Sequence, residues 1–469
     1  MPCGHRFCRV CVDGMRQQGA ALAQVCPLCR GDMPDVRRLM CGGWSLNAQF
    51  DRWMDANNPY LKSQGIVTVQ PPAWARQLLA EASNLCEEVK AIDPEHGDVG
   101  FLHGNVLSSS DDIDGAIREY RNAIRINPSN RNVAPAHCLI GAHLYKRGDL
   151  DGAEKAYRAS ISADPKRAQA HYNLGNLMMA RNEMEGAMMS FRAATGADPC
   201  HAESHYNIAI ILQSQKDYDA MLVVLRKAIA FVPDSAMVQN LLGLHLHRTF
   251  KDNDGAEAAF RAAIAADPNF TDAHRRLGML LLDERNDLAG AERAIRTAIE
   301  TGPSDGRSHC SMGLLLQAQE DNISAEAAFR QARALTHSED AHVLYQLGWH
   351  LQFGFKDKRT RRANSEEAEA VLREAVAVDA KHSFAHYTIG CLLHDFRHDL
   401  TGAVAAFRTA VATDPKNVNA WNSLGSALFD LEKFDDAAQA FEALLAVAPD
   451  HKKGQSNLTL ARKWACSEG

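Results

Sequence analysis

No stretch of the 469 residues approaches the roughly 18 consecutive apolar positions that a membrane-spanning helix needs. The opening MPCGHRFC lacks the basic-then-apolar build of a secretory signal. Charge of one sign is not in excess either. The 51 basic and 58 acidic side chains leave a net −7, and they alternate as on solvated helix faces, which argues against a nucleic-acid or membrane surface. No phosphate-binding glycine loop, zinc-protease motif or nucleophile elbow occurs, so no conventional catalytic domain is expected. A disulfide framework is missing as well. Of the 12 cysteines, Cys3, Cys8, Cys11, Cys26 and Cys29 crowd the first 29 residues, Cys41 follows, and Cys86, Cys138, Cys200, Cys310, Cys391 and Cys466 stand singly. That distribution fits metal binding in a reducing compartment, and a soluble cytoplasmic chain is the expectation.

What the chain has in quantity is one repeated unit. Ala168 to Cys200 carries Leu174, Gly175 and Met178 in its first half and Ala187, Phe191 and Ala194 in its second, and Asp198-Pro199 closes it. Small residues stand where two helices must approach closely, an aromatic fills the gap, and proline ends the second helix. This pattern resembles the tetratricopeptide repeat, a helix-turn-helix unit that must stack because one copy cannot bury its apolar face.

The equivalent of Gly175 recurs as Gly104, Gly141, Ala209, Gly243, Gly278, Gly313, Gly348, Gly390 and Gly425, which makes ten repeats. The second-helix small position follows in register from Ala116 to Ala437, with a bulky residue four positions later from Tyr120 to Phe441. The fold class expected is therefore all-α: an α-α superhelix (solenoid) of about ten repeats over residues 97–450. Around it we expect an incomplete zinc module at 1–55, a linker at 56–73, a degenerate or capping helix at 74–96, and a C-terminal capping helix and tail at 451–469. Spacing drift places the extra residues in turns. Proline is replaced at two repeat ends, by His337 and Ala380, which should leave those ends less sharply defined.

At the N-terminus, Cys3 pairs with His5, Cys8 with Cys11, and Cys26 with Cys29, spacings that let one turn present two ligands to an ion. Cysteine and histidine in this order suit tetrahedral zinc. The redox alternative for Cys26-Pro27-Leu28-Cys29 lacks the strand-helix context it needs. From its third ligand onward the order resembles a RING finger. The resemblance implies one complete zinc site from Cys3, His5, Cys26 and Cys29, and half of another from Cys8 and Cys11, as though the sequence began inside the domain. It further implies that Pro27 and Arg30 contact a ubiquitin-conjugating enzyme, against the plainer reading of Arg30 as a solvated arginine.

The repeat resemblance implies a concave groove lined by the first helices. The positions it assigns there include Tyr172, Asn176, Tyr206, Asn240, Arg275, Tyr387, Asn419 and Asn422, against the plainer reading that several merely pack between repeats. Amide and phenol groups can bond the backbone of an extended protein segment. Asn176 and Asn207 match two asparagines of the clamp by which some family members hold a C-terminal carboxylate. Tyr172, Met237 and Leu241 stand where its basic residues belong, so no such clamp is expected there. Histidine recurs at the fourth position as His137, His171, His205, His274, His309 and His386. These lie too far apart to share a metal ion and read as packing residues satisfied by neighbouring carbonyls. The basic run Lys356 to Arg362 sits in the widest insertion and reads as a solvated loop, with a nuclear signal or an anionic contact as the alternatives.

Together these features imply a protein-interaction scaffold, most simply a RING-type ubiquitin ligase or a fragment of one whose repeats recruit substrate. A non-enzymatic adaptor with a remnant zinc module is the alternative. The recognition arm of a glycosyltransferase is a third reading, for which residues 1–469 contain no catalytic domain.

Overall fold

The computed structural model describes residues 73–466, which form 22 α-helices and no strand. They divide into two compact units, Met1–Val232, described from residue 73, and Pro233–Gly469, described to residue 466.

The first unit opens with α1 (Ala73–Ile92) and continues as four helix hairpins: α2 (Gly97–Ser109) with α3 (Ile113–Ile126), α4 (Val133–Lys146) with α5 (Leu150–Ala163), α6 (Ala168–Ala180) with α7 (Met184–Ala197), and α8 (Ala202–Ser214) with α9 (Tyr218–Phe231). On α1 the buried residues Leu79, Ala82, Cys86 and Val89 fall one helical turn apart and make the face that meets α2. The second unit holds six hairpins: α10 (Ala236–His245) with α11 (Asn253–Ala266), α12 (Thr271–Asp283) with α13 (Leu288–Thr301), α14 (Gly306–Ala318) with α15 (Asn322–Leu335), α16 (Ala341–Trp349) with α17 (Lys358–Val378), α18 (Ser383–Leu392) with α19 (Leu400–Thr413), and α20 (Val418–Asp430) with α21 (Phe434–Val447). The last helix, α22 (Lys452–Ala465), packs on α21.

Two local devices shape most of the hairpins. Within a hairpin, one residue enters the left-handed region, as Asn286 does at φ 52°, and the following aspartate caps the second helix. Asp112, Asp149, Asp217, Asp252, Asp287, Asp321 and Asp399 each accept a bond from the backbone N–H three residues on, which satisfies a donor that the helix start leaves open. Between hairpins, the aspartate of Asp-Pro accepts the N–H two residues later, as Asp164 does from Lys166 at 3.1 Å and Asp414 from Lys416 at 3.1 Å.

The core follows the two registers read from the sequence. Tyr120, Phe191, Phe260, Phe329, Phe407 and Phe441 are fully buried, each against the glycine of its own first helix. In the fourth hairpin the same two register positions hold Ala209 and Leu225, both fully buried.

Three expectations are corrected. In the hairpins of Gly243 and Gly390, the extra residue is absorbed by a wider π turn that ends the first helix, at Leu246–Phe250 and Leu393–Arg397. The insertion after Gly348 is not a loop. It lengthens α17 to 21 residues, so Lys358 to Arg362 are helical, and Lys356, just before it, bonds Glu320 at 2.9 Å. The end at Ala380 is as well defined as those with proline, because Asp379 accepts the N–H of Lys381 at 2.9 Å. The aspartate suffices there. At His337 both devices are missing, and His337 and Ser338 instead take left-handed backbone at φ 49° and 59°.

Candidate binding surfaces on the first helices

Five of the six recurrent histidines share a definite role, His137 being the exception. The Nε2 of His171, His205, His274, His309 and His386 lies 2.9 to 3.2 Å from the carbonyl six residues earlier, that of Pro165, Pro199, Pro268, Pro303 and Ala380. A neutral ring donating from Nε2 ties each first helix to the turn that precedes it. Sequence reading missed that Gln239, Trp421 and Gln455 do the same, to Pro233, Pro415 and Pro449. The signal was present as a donor six positions after proline. Among the described residues no group of three or more His, Cys, Asp or Glu is placed to hold a metal.

The predicted groove residues fall into three groups. In the first unit, Tyr172 and Asn176 lie on α6, and Tyr206 and Asn207 on α8, all half-buried. The amide of Asn207 donates to Oδ1 of Asn176 at 2.9 Å, and the Tyr172 ring packs 4.9 Å from that of His201 and 5.9 Å from that of Phe191. Part of each side chain is thus committed to packing, and part faces outward.

In the second unit, Asn240 and Arg275 converge on Asp272. Asn240 is buried and donates to Oδ2 at 2.9 Å, while its Oδ1 is without a partner. Arg275 pairs with the Oδ1 of Asp272, and Arg276 donates to its Oδ2 at 2.7 Å. Burial alone would raise this carboxyl, but the two guanidinium groups overcome it and hold the pKa at about 2. The third group is Tyr387 on α18 and Asn422 on α20. The Tyr387 ring sits 6.0 Å from that of Phe407, and burial pushes its hydroxyl well above the ordinary range. Asn422 has a buried, unpartnered Oδ1, and Asn419 is exposed.

Arg248, Arg276 and Arg307 were not singled out in the sequence. They join Arg275 along a cleft of about 210 Å³ on the second unit. The detectable signal was the pair Arg275-Arg276 three and four residues after Asp272, a spacing that stacks charges on one helix face. The zinc-ligand candidates Cys3, His5, Cys8, Cys11, Cys26 and Cys29, with Pro27 and Arg30, lie outside the described residues. No described helix is long and apolar enough to cross a membrane.

Stacked two-helix units with a glycine-aromatic seam define a helical-repeat protein whose first helices carry polar and aromatic groups. The units are tetratricopeptide repeats: residues 138–201, 206–269, 244–306 and 392–452 match the family described as Tetratricopeptide repeat. Residues 1–29 match the zinc finger of C3HC4 type, the RING finger, a family whose fold is built on zinc. No curated protein matches the chain. Among solved structures it is similar to the Cut9–Hcn1 hetero-tetramer of the APC/C, at 11% identity over 83% of this chain and 94% of that one, with a TM-score of 0.48. It is also similar to Pseudomonas aeruginosa pilF, at 24% identity over 43% of this chain and 91% of that one with a TM-score of 0.38, and to yeast Tom70, at 12% over 91% and 96% with a TM-score of 0.45. A RING-type finger joined to a tetratricopeptide array makes this chain a protein-interaction scaffold.

Proposed function

We propose that this scaffold is a RING-type ubiquitin ligase, or part of one, in which the repeats recruit a protein substrate and the N-terminal finger recruits a conjugating enzyme. The observation that carries this reading is the presence in one chain of a RING-finger match at residues 1–29 and of helix hairpins with polar and aromatic groups on their first helices. In this reading Cys3, His5, Cys26 and Cys29 hold one zinc, Cys8 and Cys11 contribute to a second, and Pro27 and Arg30 meet the conjugating enzyme. The donor set fits: four cysteine and histidine ligands are what a closed tetrahedral zinc site takes. Substrate lies along Tyr172, Asn176, Tyr206 and Asn207 in the first unit, or along the groups around Asn240 and Arg275 and around Tyr387 and Asn422 in the second. The chain acts in the cytoplasm, where its thiols stay reduced.

The test is affinity capture from cells with the wild-type chain and with Tyr172, Asn176 and Tyr206 all changed to alanine, followed by reconstituted ubiquitination of whatever is captured. Loss of partners with helicity intact supports recruitment through the first unit, and their retention at equal yield removes it. Partners that bind but are never ubiquitinated would favour a non-enzymatic adaptor.

A further inference from the structure

The cleft on the second unit is lined by four arginines, Arg248, Arg275, Arg276 and Arg307, and by one carboxylate, Asp283. Two of the nearby acids, Asp272 and Asp340, are already committed. Asp272 accepts from Asn240, Arg275 and Arg276 together. Asp340 caps α16, accepting from the N–H groups of His342 and Val343, and also takes the Arg307 Nε at 2.7 Å. One carboxylate is thus shared by two guanidinium groups, each of which carries five N–H donors. Arg248, on the π turn after α10, is exposed and has no ion-pair partner among the described residues. Like charge from Arg275 and Arg248 works against Arg276, whose pKa burial already lowers despite Asp272.

So dense a group of cations in a chain of net charge −7 calls for an outside anion. The rest of the lining decides which kind. Leu244, Met279 and Leu314 are half-buried apolar side chains in the same cleft, and apart from His247 and Arg248 on the π turn and Phe260 on α11 the lining comes from the first helices of four successive hairpins, α10, α12, α14 and α16. A nucleic acid would leave those apolar groups uncovered and would meet an acidic protein around them. A peptide carrying carboxylates beside apolar side chains satisfies both halves of the lining, through charge-assisted bonds to guanidinium and burial of the side chains between.

We propose that this cleft binds an acidic, apolar-containing protein segment, with Arg248 and Arg307 as its accessible contacts and Arg275 and Arg276, fixed by Asp272, as its inner ones. The proposal rests on the reading of the first helices as protein-binding surfaces, and it assigns the partner chemistry for one of them.

A randomised dodecapeptide library displayed on yeast, selected on the purified chain of residues 1–469, tests it directly. The selected peptides should be enriched in Asp and Glu next to leucine or aromatic residues. Arg248→Glu combined with Arg307→Gln, both exposed positions that leave the core untouched, should weaken those peptides at least tenfold. Raising the salt concentration should weaken them too. Selected sequences no more acidic than the input, acidic peptides that bind the arginine variant as tightly as wild type, or displacement by an unstructured oligonucleotide at lower concentration would each overturn the proposal. The alanine variant at Tyr172, Asn176 and Tyr206 should retain the acidic peptides, so the two surfaces are read separately.

Discussion

A side-chain carbon added at Gly175 would lie 2.6 Å from Cε1 of Phe191, well inside van der Waals contact. The ring fills the space that the missing side chain leaves. Gly175→Ala should therefore destabilise the first unit by about 1 to 3 kcal/mol, the usual range for overpacking, as measured by chemical denaturation. Phe191→Leu alone should also be destabilising, through lost buried area. Combined, the two should cost less than their sum, because the fourth hairpin already holds Ala209 and Leu225 at these positions. Strict additivity would count against this account of the seam.

The aspartate cap of the second helix gives an independent prediction. Asp287 accepts from the N–H of Gly290 at 2.9 Å, so Asp287→Ala should cost on the order of 1 kcal/mol, and Asp287→Asn much less. Glu183 and Lys433 occupy the equivalent positions without a side-chain cap. Introducing aspartate at Lys433 should raise the melting temperature.

The tie from His205 to the carbonyl of Pro199 predicts a chemical rescue. His205→Leu loses the bond and strands the carbonyl, at a cost of about 1 kcal/mol. His205→Gln should stay close to wild type, since Gln239 and Gln455 make the same contact from the same position.

Acid should destabilise the chain before its carboxylates titrate. Burial lowers the pKa of His103, His137, His143, His205, His342, His350 and His382 below the ordinary 6.5. A lowered folded-state pKa means that the neutral ring is favoured in the fold, so its contribution is complete above 6.5 and is lost as pH falls through the folded value. His394 runs the other way: burial opposes its charge, but Asp395 and Asp430 raise its pKa, so its contribution is lost as pH rises through that value. With seven residues against one, the melting temperature should be lower at pH 5.5 than at pH 7.5. An equal or higher value at pH 5.5 would contradict the assignment.

For the N-terminal finger, the proposed assignment gives residues 1–29 one full set of four ligands and one pair. Purified protein should contain close to one zinc by metal analysis, lost with Cys26→Ser or Cys29→Ser and little changed by Cys8→Ser. Because metal binding supplies much of the folding free energy of such small modules, a half-built second site should also make residues 1–469 a weak ligase with a panel of conjugating enzymes. Two tightly held zincs, or robust autoubiquitination, would refute this.

The ten hairpins were legible because Gly175, Ala187 and Phe191 and their equivalents satisfy a contact within a single hairpin, and a local contact repeated ten times writes itself into the sequence as a period. The carbonyl ties of five of the six fourth-position histidines were legible for the same reason, since both partners lie within six residues. The glutamines and the tryptophan that replace them escaped notice because the chemistry is that of a donor and not of one residue type. The insertion at Lys358 to Arg362 was misread because a basic run carries no signal that distinguishes a loop from two added helical turns. Only packing against the neighbouring hairpins decides that.

What the sequence determined by itself is therefore what depends on neighbours along the chain: helix ends, caps, hairpin turns and the glycine-aromatic seam. What only the tertiary structure decided depends on charges drawn from different repeats. Arg248, Arg275, Arg276 and Arg307 are separated by up to 59 positions and look like ordinary surface arginines one at a time. Stacking brings their first helices side by side, leaves Asp272 to serve two of them, and leaves Arg248 without a carboxylate. Electrostatic energy depends on distance in space, which a periodic sequence fixes only once its units have stacked.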